Sequence, residues 1–93
     1  MTNIDQNIVD EINHALDILE LPKLITKADI KKQYRFLSKK NHPDLGGYEH
    51  KQEEINWAYR LLMKYIEEFR YTFEDKEIYN QLPGADHARR FKP

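Results

Sequence analysis

Ninety-three residues make one domain with one thin core. A chain of this size buries only a little over about 60% of its unfolded surface, which leaves little room for a deep, water-excluding cleft and counts against an enzyme with a sequestered active site. The absence of cysteine excludes a disulfide framework, a thiol nucleophile and a Cys-type zinc site.

The formal net charge of −1 hides an uneven distribution. Residues 1–22 hold Asp5, Asp10, Glu11, Asp17 and Glu20 and no Lys or Arg. Between Lys23 and Lys40 stand Lys23, Lys27, Lys31, Lys32, Arg35, Lys39 and Lys40 against one acid, Asp29. From Glu49 to Glu77 acids again outnumber bases. This pattern implies one electropositive face on a near-neutral protein. No apolar run approaches the roughly 18 residues of a membrane span. The N-terminal stretch "MTNIDQNIVDE" has neither the basic nor the apolar region of a signal peptide. The expectation is a cytoplasmic monomer with no membrane association.

In chain order, the first element is a helix starting near Ile4, with apolar residues Ile4, Ile8, Ile12, Ala15, Leu16 and Leu19, ending at Pro22. The second opens with Thr26 as cap and Asp29 three residues on, a capping-box spacing. It must stop by Asn41 or His42, because the residue before Pro43 is pushed out of the α region. Gly46-Gly47 marks a loop. A third helix is expected from about Glu49 to Phe69 on Ile55, Ala58, Tyr59, Leu62, Tyr65, Ile66 and Phe69. Thr72 and Asp75 repeat the capping spacing and predict a short helix to about Gln81, broken by Pro83-Gly84, with a last turn at "DHARRF".

The second helix sorts into faces. Ile30, Tyr34 and Leu37 fall within about 60° of one another. Lys27, Lys31, Lys32, Arg35 and Lys39 cover an adjoining arc of about 140°. Phe36 falls more than about 90° from the apolar stripe, on neither face.

The chemistry concentrates in "KKNHPDLGGYEH", Lys39 to His50. Taken alone, its His42-Pro43-Asp44 has three readings. His42, Asp44 and His50 could ligate a metal, but there is no Cys and no H-E-x-x-H pair. His42 and Asp44 could serve as a base and its orienter, but no nucleophile is placed beside them. The plain reading is a helix stop, with Pro43 ending one helix and Asp44 opening a turn.

Read together, "IKKQYRFLSKKNHPDLGG" and "EEINWAYRLL" resemble the J-domain, the module with which DnaJ-type co-chaperones activate DnaK-type 70-kilodalton heat-shock chaperones. The matching residues are Ile30, Lys31, Lys32, Tyr34, Arg35, Leu37, His42-Pro43-Asp44, Ile55, Ala58, Tyr59 and Leu62. "LDILEL" resembles the family's first-helix end, with Glu20 in the place of a usual Gly. The resemblance covers roughly residues 12 to 65, and a tripeptide closing a basic helix with Ile-x-x-Ala-Tyr downstream is a specific signal. It implies an all-α fold, an antiparallel hairpin of the second and third helices with the tripeptide loop between them and the first helix against it. It also implies that His42, Pro43 and Asp44 dock on the chaperone's nucleotide-binding domain near the interdomain linker. Lys31, Lys32, Arg35 and Lys39 would meet an acidic surface there, and Tyr34, at the border of the two arcs, would add to the contact or sit half-buried in the core. The outcome would be faster ATP hydrolysis by the partner. The module itself would bind no cofactor or metal and would not be an enzyme.

Three departures from the family stand out. Phe36 occupies a place where a basic residue is common. Gln52 occupies the place of a core Phe, three before Ile55. After Leu62 the usual fourth-helix signature is missing, and the tail carries Phe69, Tyr71, Phe73, Ile78, Tyr79, Leu82 and Phe91 instead. That many apolar side chains argue for burial, at about 1.5–3 kcal/mol for each large group, the alternative being that they bind a client or a second protein. The expected organisation is a J-domain core at 1–71 and a short helix and tail at 72–93 packed on it, with Phe36 or Trp57 in the seat. The competing readings are a nucleic-acid-binding module using the cationic helix, against which the pI near 6.4 weighs, and a scaffold without chaperone activity.

Overall fold

In a computed structural model the chain is helical, and the structure describes residues 3–42 and 49–82. Four helices follow in order: α1, Asn3–Ile18; α2, Lys27–Lys40; α3, Glu49–Glu67; and α4, Asp75–Asn80. No strand occurs among the described residues, and none of their helices is long and apolar enough to cross a membrane.

α3 is the central element, and both α1 and α2 pack against it. The core gathers Ala15 of α1 and Leu19 directly after it, Leu37 of α2, and Ile55, Ala58 and Leu62 of α3. Leu19 and Ile55 are completely buried. Ala15 and Ala58 carry only a methyl group, which lets the backbones of α1 and α3 come close together. Ile12, Leu16, Tyr34, Trp57 and Tyr59 close the margins of this cluster. Towards the start of α1 the seam opens into an apolar hollow of about 420 Å³, floored by Ile12, Leu16, Ile30, Leu62 and Ile66. Tyr34 lies opposite Asn56 and Tyr59, and Ser38 opposite Gln52, so α2 and α3 run antiparallel, as the resemblance implies.

α1 ends earlier than Pro22. The Leu21 N–H donates to the Leu16 carbonyl at 2.9 Å, and the Glu20 N–H to the Asp17 carbonyl at 3.0 Å. This pair of bonds is a Schellman closure, which needs a left-handed residue between its ends. Glu20 supplies it, with φ 57°. A side chain in that region costs about 1–2 kcal/mol relative to right-handed backbone, which is why glycine is usual there. The Gln33 amide donates to the Leu19 carbonyl at 3.0 Å, tying the end of α1 to α2.

The expected short fourth helix is present, but it starts later. Its N-cap is Glu74, without a side-chain cap bond, while the Thr72 hydroxyl accepts from the Glu74 N–H at 3.4 Å and so forms a turn ahead of the helix. None of its residues is buried. Phe73 is 83% and Tyr79 74% exposed, so in the described part of the 72–93 segment the large aromatics face water. Pro83-Gly84 and the "DHARRF" turn lie outside the described residues. At the end of α3, Tyr65, Phe69 and Tyr71 meet edge to face in a row, with ring centroids 5.6 and 5.4 Å apart.

Candidate functional site

The site is built on α2. Thr26 opens the helix by accepting the Asp29 N–H on its hydroxyl at 3.2 Å. Asn41 closes it: both its backbone N–H, at 3.0 Å, and its side-chain amide, at 2.9 Å, donate to the Leu37 carbonyl. The helix is therefore fixed at both ends, and its buried residues, Ile30 and Leu37, set its rotation. That rotation turns Lys31, Lys32, Arg35 and Lys39 to solvent, all exposed. Lys31, Arg35 and Lys39 follow one another at successive turns and form a cationic line along the helix. The line runs towards His42, which is exposed directly after the Asn41 cap. Pro43 and Asp44 lie outside the described residues.

Tyr34 is half-buried and held on two sides. Its ring stacks on Tyr59 with centroids 4.0 Å apart and planes 14° from parallel. Its hydroxyl donates to Asn56 Oδ1 at 2.8 Å. It is thus part of the packing between α2 and α3 as well as the border of the cationic face.

The place of the family's core Phe holds a polar junction. Gln52 Nε2 donates to Ser38 Oγ at 3.0 Å and to Asn56 Oδ1 at 3.0 Å. Asn56 Oδ1 therefore accepts from Tyr34 and Gln52 together. Gln52 Oε1 is buried without a hydrogen-bond partner among the described residues. An acceptor left in that state costs about 1–3 kcal/mol. Sequence reading flags Gln52 as a departure but misses the junction, because Ser38 and Gln52 come together across 14 residues of chain. The available signal was Ser38, one turn beyond Tyr34 on the side facing α3.

Phe36 is exposed and borders a hollow with Leu21, Pro22 and Ile25, beside the α1–α2 connection. Trp57 is half-buried with its ring 5.8 Å from that of His14. Among the described residues there is no group of three His, Cys, Asp or Glu side chains that could hold a metal ion. The metal set considered from sequence includes Asp44, which lies outside them.

The profile of the DnaJ domain matches residues 14–71. Among curated proteins, the chain is 37% identical over 70 residues to the chaperone protein dnaJ A6 of Oryza sativa subsp. japonica, a match that covers 75% of this chain and 15% of the relative. It is 36% identical over 78 residues to the chaperone protein DnaJ of Finegoldia magna, covering 80% of this chain and 21% of the relative. It is 39% identical over 70 residues to the chaperone protein dnaJ 2 of Arabidopsis thaliana, covering 75% and 15%. The chain belongs to the DnaJ domain family. It spans about a fifth or less of the length of these curated relatives. No solved structure matches it significantly.

Proposed function

We propose that the chain is a co-chaperone module that docks on a DnaK-type 70-kilodalton chaperone through His42-Pro43-Asp44 and the cationic face of α2, and that it accelerates ATP hydrolysis by that partner. The observation that carries this reading is the alignment of four exposed cations with His42 at the end of a capped helix, inside a stretch that belongs to the DnaJ domain family. Lys31, Lys32, Arg35 and Lys39 steer an acidic surface towards the helix and orient the encounter, an effect that weakens with salt. Pro43 fixes its own φ and turns the chain away from the helix end. Asp44 offers a carboxylate for a charge-assisted pair with an arginine or a backbone donor of the partner. His42 can donate to the contact or accept from it. Tyr34 adds the edge of a ring that Tyr59 and Asn56 hold in place. The module acts on the partner's chemistry and performs none itself. Its organisation in this reading is a J-domain core at 1–71, where the family match also ends, followed by an appended segment at 72–93.

The test is a titration of a DnaK-type chaperone in its ATP-bound state with the labelled chain, repeated with Asp44→Asn and Arg35→Glu. Loss of binding with Asp44→Asn, and a weaker, salt-sensitive complex with Arg35→Glu, support the reading. Equal binding by Asp44→Asn, or binding only to added DNA or RNA, would refute it.

A further inference from the structure

The seam between α2 and α3 changes character along its length. Tyr34 stacks on Tyr59, and towards the loop, beside the buried Leu37, two hydrogen bonds cross the seam, Tyr34 to Asn56 and Gln52 to Ser38, joined by one within α3 from Gln52 to Asn56, all between 2.8 and 3.0 Å. Ser38 sits one turn before His42, next to Lys39 and three residues after Arg35. The polar junction therefore holds α3 to the last turns of α2, at a residue whose chain neighbours carry the cationic face.

We propose that Gln52 is a positioning residue: with Ser38, Asn56 and Tyr34 it fixes the register of the last turns of α2 on α3, and thereby the direction in which Arg35, Lys39 and His42 are presented to the chaperone. The inference rests on the functional reading above and deepens it. Stability alone does not account for this side chain, because its Oε1 is buried with no partner among the described residues. An apolar residue of the same length would remove that penalty and keep the packing while giving up the two bonds of the amide, an exchange close to neutral for stability. What an apolar residue does not supply is direction. Apolar contacts tolerate a slide of one helix along another, whereas hydrogen bonds near 3 Å fail once donor and acceptor separate by a few tenths of an ångström. Two bonds across the seam, tied together by one within α3, act as a register pin, in the way a polar residue in an otherwise apolar helix interface fixes alignment at the expense of stability.

The experiment uses the whole chain with Gln52→Met, Ser38→Ala and the double variant. Three quantities are read: the melting temperature, the concentration that gives half-maximal stimulation of a DnaK-type chaperone together with the plateau, and microsecond-to-millisecond exchange at backbone amides measured without the chaperone. The expected result is a Gln52→Met melting temperature close to that of the unaltered chain, since two lost bonds offset the removed buried acceptor. Half-maximal stimulation should then need about fivefold more protein, with the plateau unchanged. Exchange should appear at amides 38–42 and stay absent at amides 15–19. Ser38→Ala should act in the same direction, and the double variant should be no worse than Gln52→Met, because both substitutions break one network. Two results would overturn the proposal: an unchanged half-maximal concentration, or a loss of activity that tracks a fall in melting temperature. If the unaltered chain stimulates no chaperone, the functional reading fails by itself. The exchange measurement then still decides the register pin, and quiet amides at 38–42 in Gln52→Met would sink it.

Discussion

The two seams that α3 makes differ in kind. Against α1 it packs small and branched apolar residues: Ala15 and Leu19 on one side, Ile55, Ala58 and Leu62 on the other. Against α2 the core contact is Leu37, with stacked tyrosines on its side away from the loop and a chain of hydrogen bonds beside it that includes a buried oxygen with no partner among the described residues. The first seam gives stability and little direction. The second gives direction and less stability, and it holds the helix that carries Arg35 and Lys39. The molecule separates what holds it folded from what aims it.

Substitutions can break this contrast or sharpen it. Leu19→Ala attacks the dry seam at a completely buried position. It should cost about 2–5 kcal/mol in urea denaturation, a loss large enough to unfold much of a domain this small. Tyr34→Phe attacks the polar seam by removing the hydroxyl that donates to Asn56. The stacked ring remains, and Asn56 keeps the Gln52 amide, so the cost should be about 1 kcal/mol by the same measurement. A Tyr34→Phe loss as large as that of Leu19→Ala would erase the distinction between the seams. Glu20→Gly relieves the left-handed residue that closes α1 and should raise stability by about 1 kcal/mol. No gain would mean that the Schellman closure does not form in solution. Tyr79→Ala touches neither seam. With the residue 74% exposed, the substitution should change stability by no more than about 0.5 kcal/mol. A clearly larger loss would show that α4 is seated on the core.

Much of this was legible in the sequence, for identifiable reasons. α2 could be placed almost to the residue because Thr26 and Asp29 carry a cap signal and Pro43 forbids continuation. Its faces were legible because Ile30, Tyr34 and Leu37 share one side at helical period, which leaves the lysines a single arc. The end of α1 was misplaced because the signal for a left-handed closure is glycine, and here a glutamate takes that conformation. Gln52 could be recognised as a departure, but its meaning depends on Ser38 and Asn56, and only the fold brings Ser38 to it. Counting apolar residues in 72–93 gave an expectation of burial. The described part is a six-residue helix, less than two full turns, which has no apolar stripe long enough to lie on a neighbour.

The central claim is that the helix and the tripeptide form a working surface that acts on an ATP-bound chaperone. The most direct test is single-turnover ATP hydrolysis by a DnaK-type chaperone with the unaltered chain, and with folded His42→Gln and Asp44→Asn variants. The account predicts acceleration by the unaltered chain and none by either variant at equal melting temperature. Acceleration that survives Asp44→Asn undiminished would contradict it.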